Sequence, residues 1–260
     1  MKTALQIIKI GGNLIESPAL LAEALQHFHQ IEGPKILVHG GGKRASQLLR
    51  QLGIQPQMVE GRRVTDAASL EVVTMVYAGL INKNIVAQLQ AIGCQAIGLC
   101  GADLNSIQAH KRIVDKIDYG FAGDIDQVDG QVLHRLLESG FRPIFCAITH
   151  DKKGQLLNTN ADTIASQLAI ALAAHYQVHL KFCFEMPGVL SNPAIPNSVI
   201  RQIDTNIFEQ CKQSGMISAG MIPKIDNAMA ACKGGVQSVR ICNLQGITSN
   251  GGTRITQVAI

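Results

Sequence analysis

Tryptophan is absent, and aromatic residues make up only 4% of the 260 residues. Such a chain has few rings on which successive bases can stack, which argues against single-stranded nucleic acid as a ligand. Charged residues are sparse too, at 16% against 47% apolar residues, and the chain is too apolar for a disordered protein. Net charge is only +4 and no block of basic residues occurs, so a modest anionic ligand fits better than a nucleic acid. Long apolar runs are missing: Ile144 to Ile148 is typical, against the roughly 20 residues that cross a bilayer. Lys9 cuts the first apolar run before it reaches signal-peptide length. The seven cysteines are odd in number, form no CxxC pair and sit mostly in apolar runs. They read as reduced core thiols of a cytoplasmic protein rather than a disulfide framework or zinc site.

What is present is an alternation of strand and helix. Leu5 to Ile10 reads as a strand that stops at Gly11-Gly12, and Ser17-Pro18 opens a helix with Ser as N-cap. Ile36 to His39 is a second strand, ending at Gly40-Gly41-Gly42 before a helix through Ala45 and Leu49. Thr65-Asp66 caps a helix through Tyr77, and Gly79 is expected to break it before Ile81 to Ile92. Gln95 to Leu99 reads as a strand. Between His110 and Leu133 short alternating runs separated by Gly120, Gly123 and Asp129-Gly130 predict hairpins, and Pro143 to Ile148 a strand after a short helix. Asp151 to Gly154 reads as a hairpin turn, Asn160 as the start of an amphipathic helix, and Val178 to Phe184 as a strand. Thr205 to Gln213 and Pro223 to Lys233 read as helices, and Val236 to Cys242 and Thr253 to Ala259 as closing strands. The pattern predicts an α/β protein, a three-layer αβα sandwich with a mainly parallel central sheet plus β-hairpins. Where the hairpin-rich part ends, inside the helix after Asp162, a boundary is expected between lobes 1–165 and 166–260.

Four clusters carry chemistry. Lys9-Ile10-Gly11-Gly12-Asn13 puts a lysine at the carboxyl end of the first strand, where ligands of open α/β sheets bind, beside glycines whose amides can approach an anion. A plain strand-to-helix turn with a solvated lysine is the bland alternative. His39-Gly40-Gly41-Gly42-Lys43 makes an anion cradle at a helix N-terminus, yet fits neither G-x-G-x-x-G nor the Walker pattern, so turn chemistry stays open. His39 itself fits a half-buried packing role as well as an active one. Asn158-Thr159-Asn160-Ala161-Asp162 is explained at Asn160 by helix capping, but capping leaves Asn158 unexplained. In Gly220-Met221-Ile222-Pro223-Lys224 a cation at a helix start opposes the dipole, a mild cost that a bound anion would offset. Two lysines, two glycine loops and a carboxylate at strand–helix junctions are equipment for phosphoryl transfer, which asks mainly for positioning and positive charge.

Six segments, in order, make the chain resemble the amino acid kinase family, in its acylglutamate branch, over nearly its whole length. They are Lys9-Ile-Gly-Gly, Val38-His-Gly-Gly-Gly, Gly61-Arg-Arg-Val-Thr-Asp66, Tyr119-Gly-Phe-Ala-Gly-Asp124, Leu157-Asn-Thr-Asn-Ala-Asp162 and Gly220-Met-Ile-Pro-Lys224. The resemblance implies an ATP-dependent kinase of the γ-carboxylate of N-acetyl-L-glutamate, in arginine biosynthesis. N-succinyl-L-glutamate is an alternative acceptor, with Arg62, Lys83 or Lys111 as candidate partners for its extra carboxylate. A catalytically silent acylglutamate- or nucleotide-binding paralogue is another alternative. The resemblance further implies that Lys9 and Lys224 flank the transferred phosphoryl group and that Asp162 holds them. Gly41 and Gly42 would bind the γ-carboxylate, Arg63 the α-carboxylate and Asn158 the acylated amine. Gly11 and Gly12 would approach the phosphates. Glu185, Gly188, Leu190, Met216 and Ser218 would line the nucleotide, with Mg²⁺ carried by ATP and no dedicated metal ligands. Phe184-Glu185 stands where the family usually has Thr or Ser followed by Asp, and Asp103-Leu104-Asn105 where it usually has Asp-Gly. Because the first strand starts within a few residues of Met1, without the extra N-terminal helix of arginine-inhibited members, the resemblance implies an arginine-insensitive homodimer. The helix from Asp66 to Gly79 is a candidate for its interface.

Overall fold

The computed structural model describes residues 2–257 other than 60, 115, 116, 193, 196 and 218–220. The chain opens with β1 (Ala4–Ile10), a helical turn α1 (Asn13–Glu16), α2 (Pro18–Gln30), β2 (Lys35–His39) and α3 (Gly42–Gln51). A two-strand ribbon, β3 (Met58–Val59) and β4 (Arg62–Arg63), leads to α4 (Ala67–Thr74), a π-helical turn (Met75–Ile81) and α5 (Asn82–Ala91). Then come β5 (Ala96–Leu99), β6 (Ile107–Lys111), β7 (Ala122–Val128), α6 (Gly130–Glu138), β8 (Arg142–Phe145), β9 (Ile148–His150), β10 (Leu156–Thr159) and α7 (Ala161–Leu172). The chain continues with β11 (Gln177–Cys183), β12 (Gln202–Ile203), α8 (Thr205–Gln213), α9 (Ile222–Lys233), β13 (Ser238–Cys242) and β14 (Thr253–Ile255).

Eight strands form one sheet in the order β12-β14-β13-β11-β1-β2-β8-β5, parallel except where β13 meets β14. β1 lies inside it, with Lys9 between Phe182 of β11 and Val38 of β2. Every residue of β2 is buried. Successive side chains of a strand point to opposite faces, so helices must cover both; α5 packs on β5 and β8, and α7 on β1, β2 and β11. β6, β7, β9 and β10 close into a small separate barrel.

The caps follow the sequence. Ser17, Asp66 and Asn160 each accept a backbone N–H at a helix start, which satisfies an orphan donor. The 151–154 hairpin turn is also present, closed by Asp151 N to Gln155 O. Four expectations need correction. Gly79 does not break its helix; the chain passes it in the π turn, where a Cβ would meet open space. Asp129-Gly130 is a helix start rather than a hairpin turn, with Asp129 capping α6. The expected strand Pro143–Ile148 divides, because Cys146 and Ala147 cross from the main sheet to the barrel. The last two strands are shorter than expected, and residues 258 and 259 lie outside the described part. Helix Ala67–Ala91 is long and apolar enough to cross a bilayer by composition alone. Here it is a core helix, with Val72, Val73, Val76, Ile85 and Leu89 buried in the protein. All seven cysteines are free thiols, and five of them are buried.

Candidate active site

A cavity of about 890 Å³ lies at the carboxyl ends of β1 and β2, between the glycine loops and the barrel. The penultimate residue of β1, Lys9, lines it and is only 7% exposed. The Lys9 ammonium lies 2.8 Å from Asp162 Oδ1, and Lys224 Nζ donates to Asp162 Oδ2 at 2.9 Å. Lys224 comes from the first turn of α9 and Asp162 from the first turn of α7, so three distant segments meet on one carboxylate. Burial alone would favour a neutral Asp162. The two ammonium groups outweigh it and hold the carboxyl down at about 2. Burial pushes Lys9 down, and Lys224 adds to that, while Asp162 pulls it back up. The group as a whole carries one surplus positive charge in a sheltered place, which suits an anion.

The glycines beside it are required by space. A Cβ on Gly11 would sit 2.5 Å from Lys9 Nζ, so a side chain there would displace the ammonium from its place on Asp162. Gly12 has φ of 57°, and Gly11 and Gly12 both line the cavity. Across the cavity a Cβ on Gly41 would meet Ile81 Cδ1 at 2.5 Å and Tyr77 Cδ1 at 2.8 Å. Gly41 is the N-cap of α3, so the first amides of that helix open toward the cavity with no side-chain cap to occupy them.

His39 explains how this loop is held. It is fully buried. Its Nδ1 lies 2.8 Å from Gly40 O, and its Nε2 lies 3.0 Å from the Asn82 amide nitrogen, which also donates to Ile144 O. Nδ1 must therefore donate and Nε2 accept, which fixes a neutral ring. Burial, with Lys9 assisting against the Gly40 hydrogen bond, lowers its pKa to about 4.

Arg63, on β4, is 6% exposed. Its Nη2 donates to Gly42 O at 2.9 Å and Ser46 Oγ at 2.7 Å, while Nε and Nη1 are buried without a partner. Nε and Nη1 are donors in a fork that matches a carboxylate. Leaving them unpaired costs free energy that a bound anion would recover. Asn158, on β10, donates to Thr65 Oγ1 at 3.0 Å and also lines the cavity.

The structure thus gathers Lys9, Asp162, Gly11, Gly12, Gly41, Gly42, Arg63 and Asn158 around one space, with Lys224 joined through Asp162. Of the residues expected on the nucleotide side, Glu185 is at its edge: Oε1 accepts from Asn13 N at 2.8 Å, and Lys43 Nζ donates to the Asn13 side chain. Gly188 packs against Thr253, and Leu190 bridges to Val199. Met216 is exposed after α8. None of these three lines the cavity, and Ser218 lies outside the described residues. Arg62 lines the cavity, whereas Lys83 donates to Gly98 O and Lys111 lies over the Phe121 ring. Sequence reasoning missed Tyr77, Ser46 and Asn82, whose polar groups reach the site from helix interiors without a motif. It also gave no role to Asp124, which accepts from Arg112 at 2.9 and 3.0 Å and lies 3.8 Å from Arg62.

Comparison with known proteins identifies relatives over nearly the whole chain. The amino acid kinase family model matches residues 4–243. The chain is 50% identical over 251 residues to an acetylglutamate kinase of Parabacteroides distasonis, covering 96% of this chain and 98% of that one. It is 35% identical over 253 residues to an acetylglutamate kinase of Methanopyrus kandleri, covering 96% and 99%. Among solved structures, smu.665 of Streptococcus mutans superposes with a TM-score of 0.81 at 28% identity, over 97% of this chain and 98% of that one.

Proposed function

The chain belongs to the amino acid kinase family, and from that premise we propose that it transfers the γ-phosphoryl group of ATP to the γ-carboxylate of N-acetyl-L-glutamate, a step of arginine biosynthesis. The observation that carries the reading is the buried Lys9–Asp162–Lys224 group beside two glycine loops. A carboxylate oxygen of the acceptor attacks the γ-phosphorus, an acyl–phosphate P–O bond forms, and the P–O bond to ADP breaks. The acceptor carboxyl has an ordinary pKa of about 4.3 and is already ionised near neutral pH, so no general base is needed. The protein's part is positioning and charge. Lys9 and Lys224 meet the charge on the phosphoryl oxygens, and Asp162, ionised down to about pH 2, keeps both in place. The amides of Gly41 and Gly42 hold the attacking carboxylate, the free donors of Arg63 take the α-carboxylate, and Asn158 meets the acylated amine. Gly11 and Gly12 face the phosphates. Glu185 steadies that turn through Asn13, and Gly188, Leu190, Met216 and Ser218 belong to the nucleotide side. Both Asp162 oxygens are taken by lysines, which fits Mg²⁺ arriving on the nucleotide.

On this reading residues 1–165 bind the acyl amino acid and 166–260 the nucleotide. Seven unpaired thiols support a cytoplasmic setting. Met75 and Leu80, exposed on the long helix, support a homodimer through that face. A coupled ADP-release assay tests the function, with Mg-ATP and N-acetyl-L-glutamate, N-succinyl-L-glutamate, glutamate or aspartate. Turnover with N-acetyl-L-glutamate above the other three is expected. Preference for the succinyl acceptor would replace the substrate, and turnover with none would overturn the kinase reading.

A further inference from the structure

We propose that Tyr77, carried to the cavity by the π-helical turn, is a specificity-determining residue whose hydroxyl donates to the substrate carboxylate paired with Arg63. The proposal rests on the acylglutamate kinase reading above.

The turn is the first observation. Between Ala67 and Ala91 the helix would run straight in α geometry, but Met75–Ile81 is π-helical. The π-helix is rare and appears mostly as single turns inside α-helices, frequently at functional sites. Here it turns Val76, Tyr77 and Ile81 inward while Met75 and Leu80 stay outside. Tyr77 and Ile81 then close on Gly41, at the distances that exclude a Cβ there.

The second observation is where the hydroxyl ends. A Cβ placed on Gly42 would lie 3.8 Å from Tyr77 Oη and 3.9 Å from Arg63 Nη2. The phenol oxygen and the guanidinium therefore converge on one corner of the cavity, and both residues line it. Nη2, the guanidinium atom at that corner, donates to Gly42 O and Ser46 Oγ, and Nε and Nη1 of the same fork are buried without a partner. A carboxylate offers about four lone-pair sites, so a fork of two N–H groups leaves room for a hydroxyl. Tyr77 is only 5% exposed. Packing against Gly41 asks for a ring, and Phe would supply it. The hydroxyl stands beside Arg63 at the cavity wall, and the substrate carboxylate is the acceptor the geometry provides for its proton. Burial raises the pKa of the phenol against the pull of Arg63, so it remains a proton donor at neutral pH.

Tyr77→Phe removes the hydroxyl and keeps the ring. Calorimetry with N-acetyl-L-glutamate in the absence of nucleotide should show Kd raised about tenfold, as for loss of a hydrogen bond to a charged group. Steady-state kinetics at saturating Mg-ATP should show KM for the acceptor raised by a similar factor, with kcat within about twofold and KM for ATP unchanged. Unchanged Kd and KM would overturn the proposal. So would a loss of kcat with KM kept, which would place the hydroxyl on the reacting carboxylate instead. A lowered Tm with wild-type affinity below the transition would reduce Tyr77 to packing and overturn it as well. Wild-type protein that neither binds nor turns over N-acetyl-L-glutamate would sink the kinase reading and this one together. Wild-type turnover with an unaltered Tyr77→Phe variant sinks only the role of the hydroxyl.

Discussion

At the scale of single residues, two lysines sharing one carboxylate are costly to bury and act where charge develops. If their contacts strengthen in the transition state, Lys9→Ala and Lys224→Ala should each lower kcat by about 10²–10³-fold, as for loss of one preorganised donor. Their effect on substrate KM should be small, whereas Arg63→Ala should raise KM for the acyl amino acid about tenfold or more with a lesser effect on kcat. Steady-state kinetics on the three variants separates these roles, and near-normal kcat in Lys9→Ala would contradict the first. His39 makes a prediction about stability. Its pKa falls from 6.5 unfolded to about 4 folded, so between those values the unfolded chain binds a proton that the folded chain refuses. Stability is therefore full above about pH 6.5 and declines as pH falls toward 4, by about 3 kcal/mol from this group. Urea titrations at pH 7 and 4.5 should show the decline, and His39→Gln should flatten it. Parallel pH profiles for the two proteins would refute the assignment.

At the scale of elements, the two glycine loops differ in what limits them. Gly41 is pinned by Tyr77 and Ile81, which the π turn holds against it. Gly41→Ala should therefore overpack the junction, cost about 1–3 kcal/mol of stability and raise KM for the acceptor more than KM for ATP. Denaturant unfolding and kinetics measure the two effects, and a neutral Gly41→Ala would mean that the loop relaxes freely. The strand ends at Gly11 and Gly40 and the caps at Ser17, Asp66 and Asn160 are legible in the sequence because each depends on a residue and its immediate neighbours. The π turn is not, because Gly79 looks the same as a breaker and as a bystander on an open face. Gly130 misleads for a different reason. It reads as a turn residue, but a Cβ there would lie 2.9 Å from Ala171 O, so its smallness serves the approach of α6 to α7. The division of Pro143–Ile148 between two sheets is equally hidden, since Cys146 and Ala147 are as apolar as a continuous strand demands.

At the scale of the whole molecule, one sheet runs through both halves of the chain, with β1 between β2 and β11. The site lies where those halves meet: Lys9 and Asp162 come from the first, and Lys224 from the second. The order of the six motifs made this gathering legible through family resemblance. Spacing alone did not, because residues 9, 162 and 224 are joined only by the fold. The partners that tune the site were not legible, since Asn82, Ser46 and Tyr77 lie in helices whose patterns look like ordinary core. The central claim is a phosphoryl transfer to a carboxylate, and the most direct measurement traps its product. The protein is incubated with Mg-ATP, N-acetyl-L-glutamate and hydroxylamine, and the acyl hydroxamate is counted against ADP. The account predicts hydroxamate and ADP in equal amounts, both abolished without the acceptor. ADP formed without hydroxamate would contradict it, because the phosphoryl group would then be passing to water.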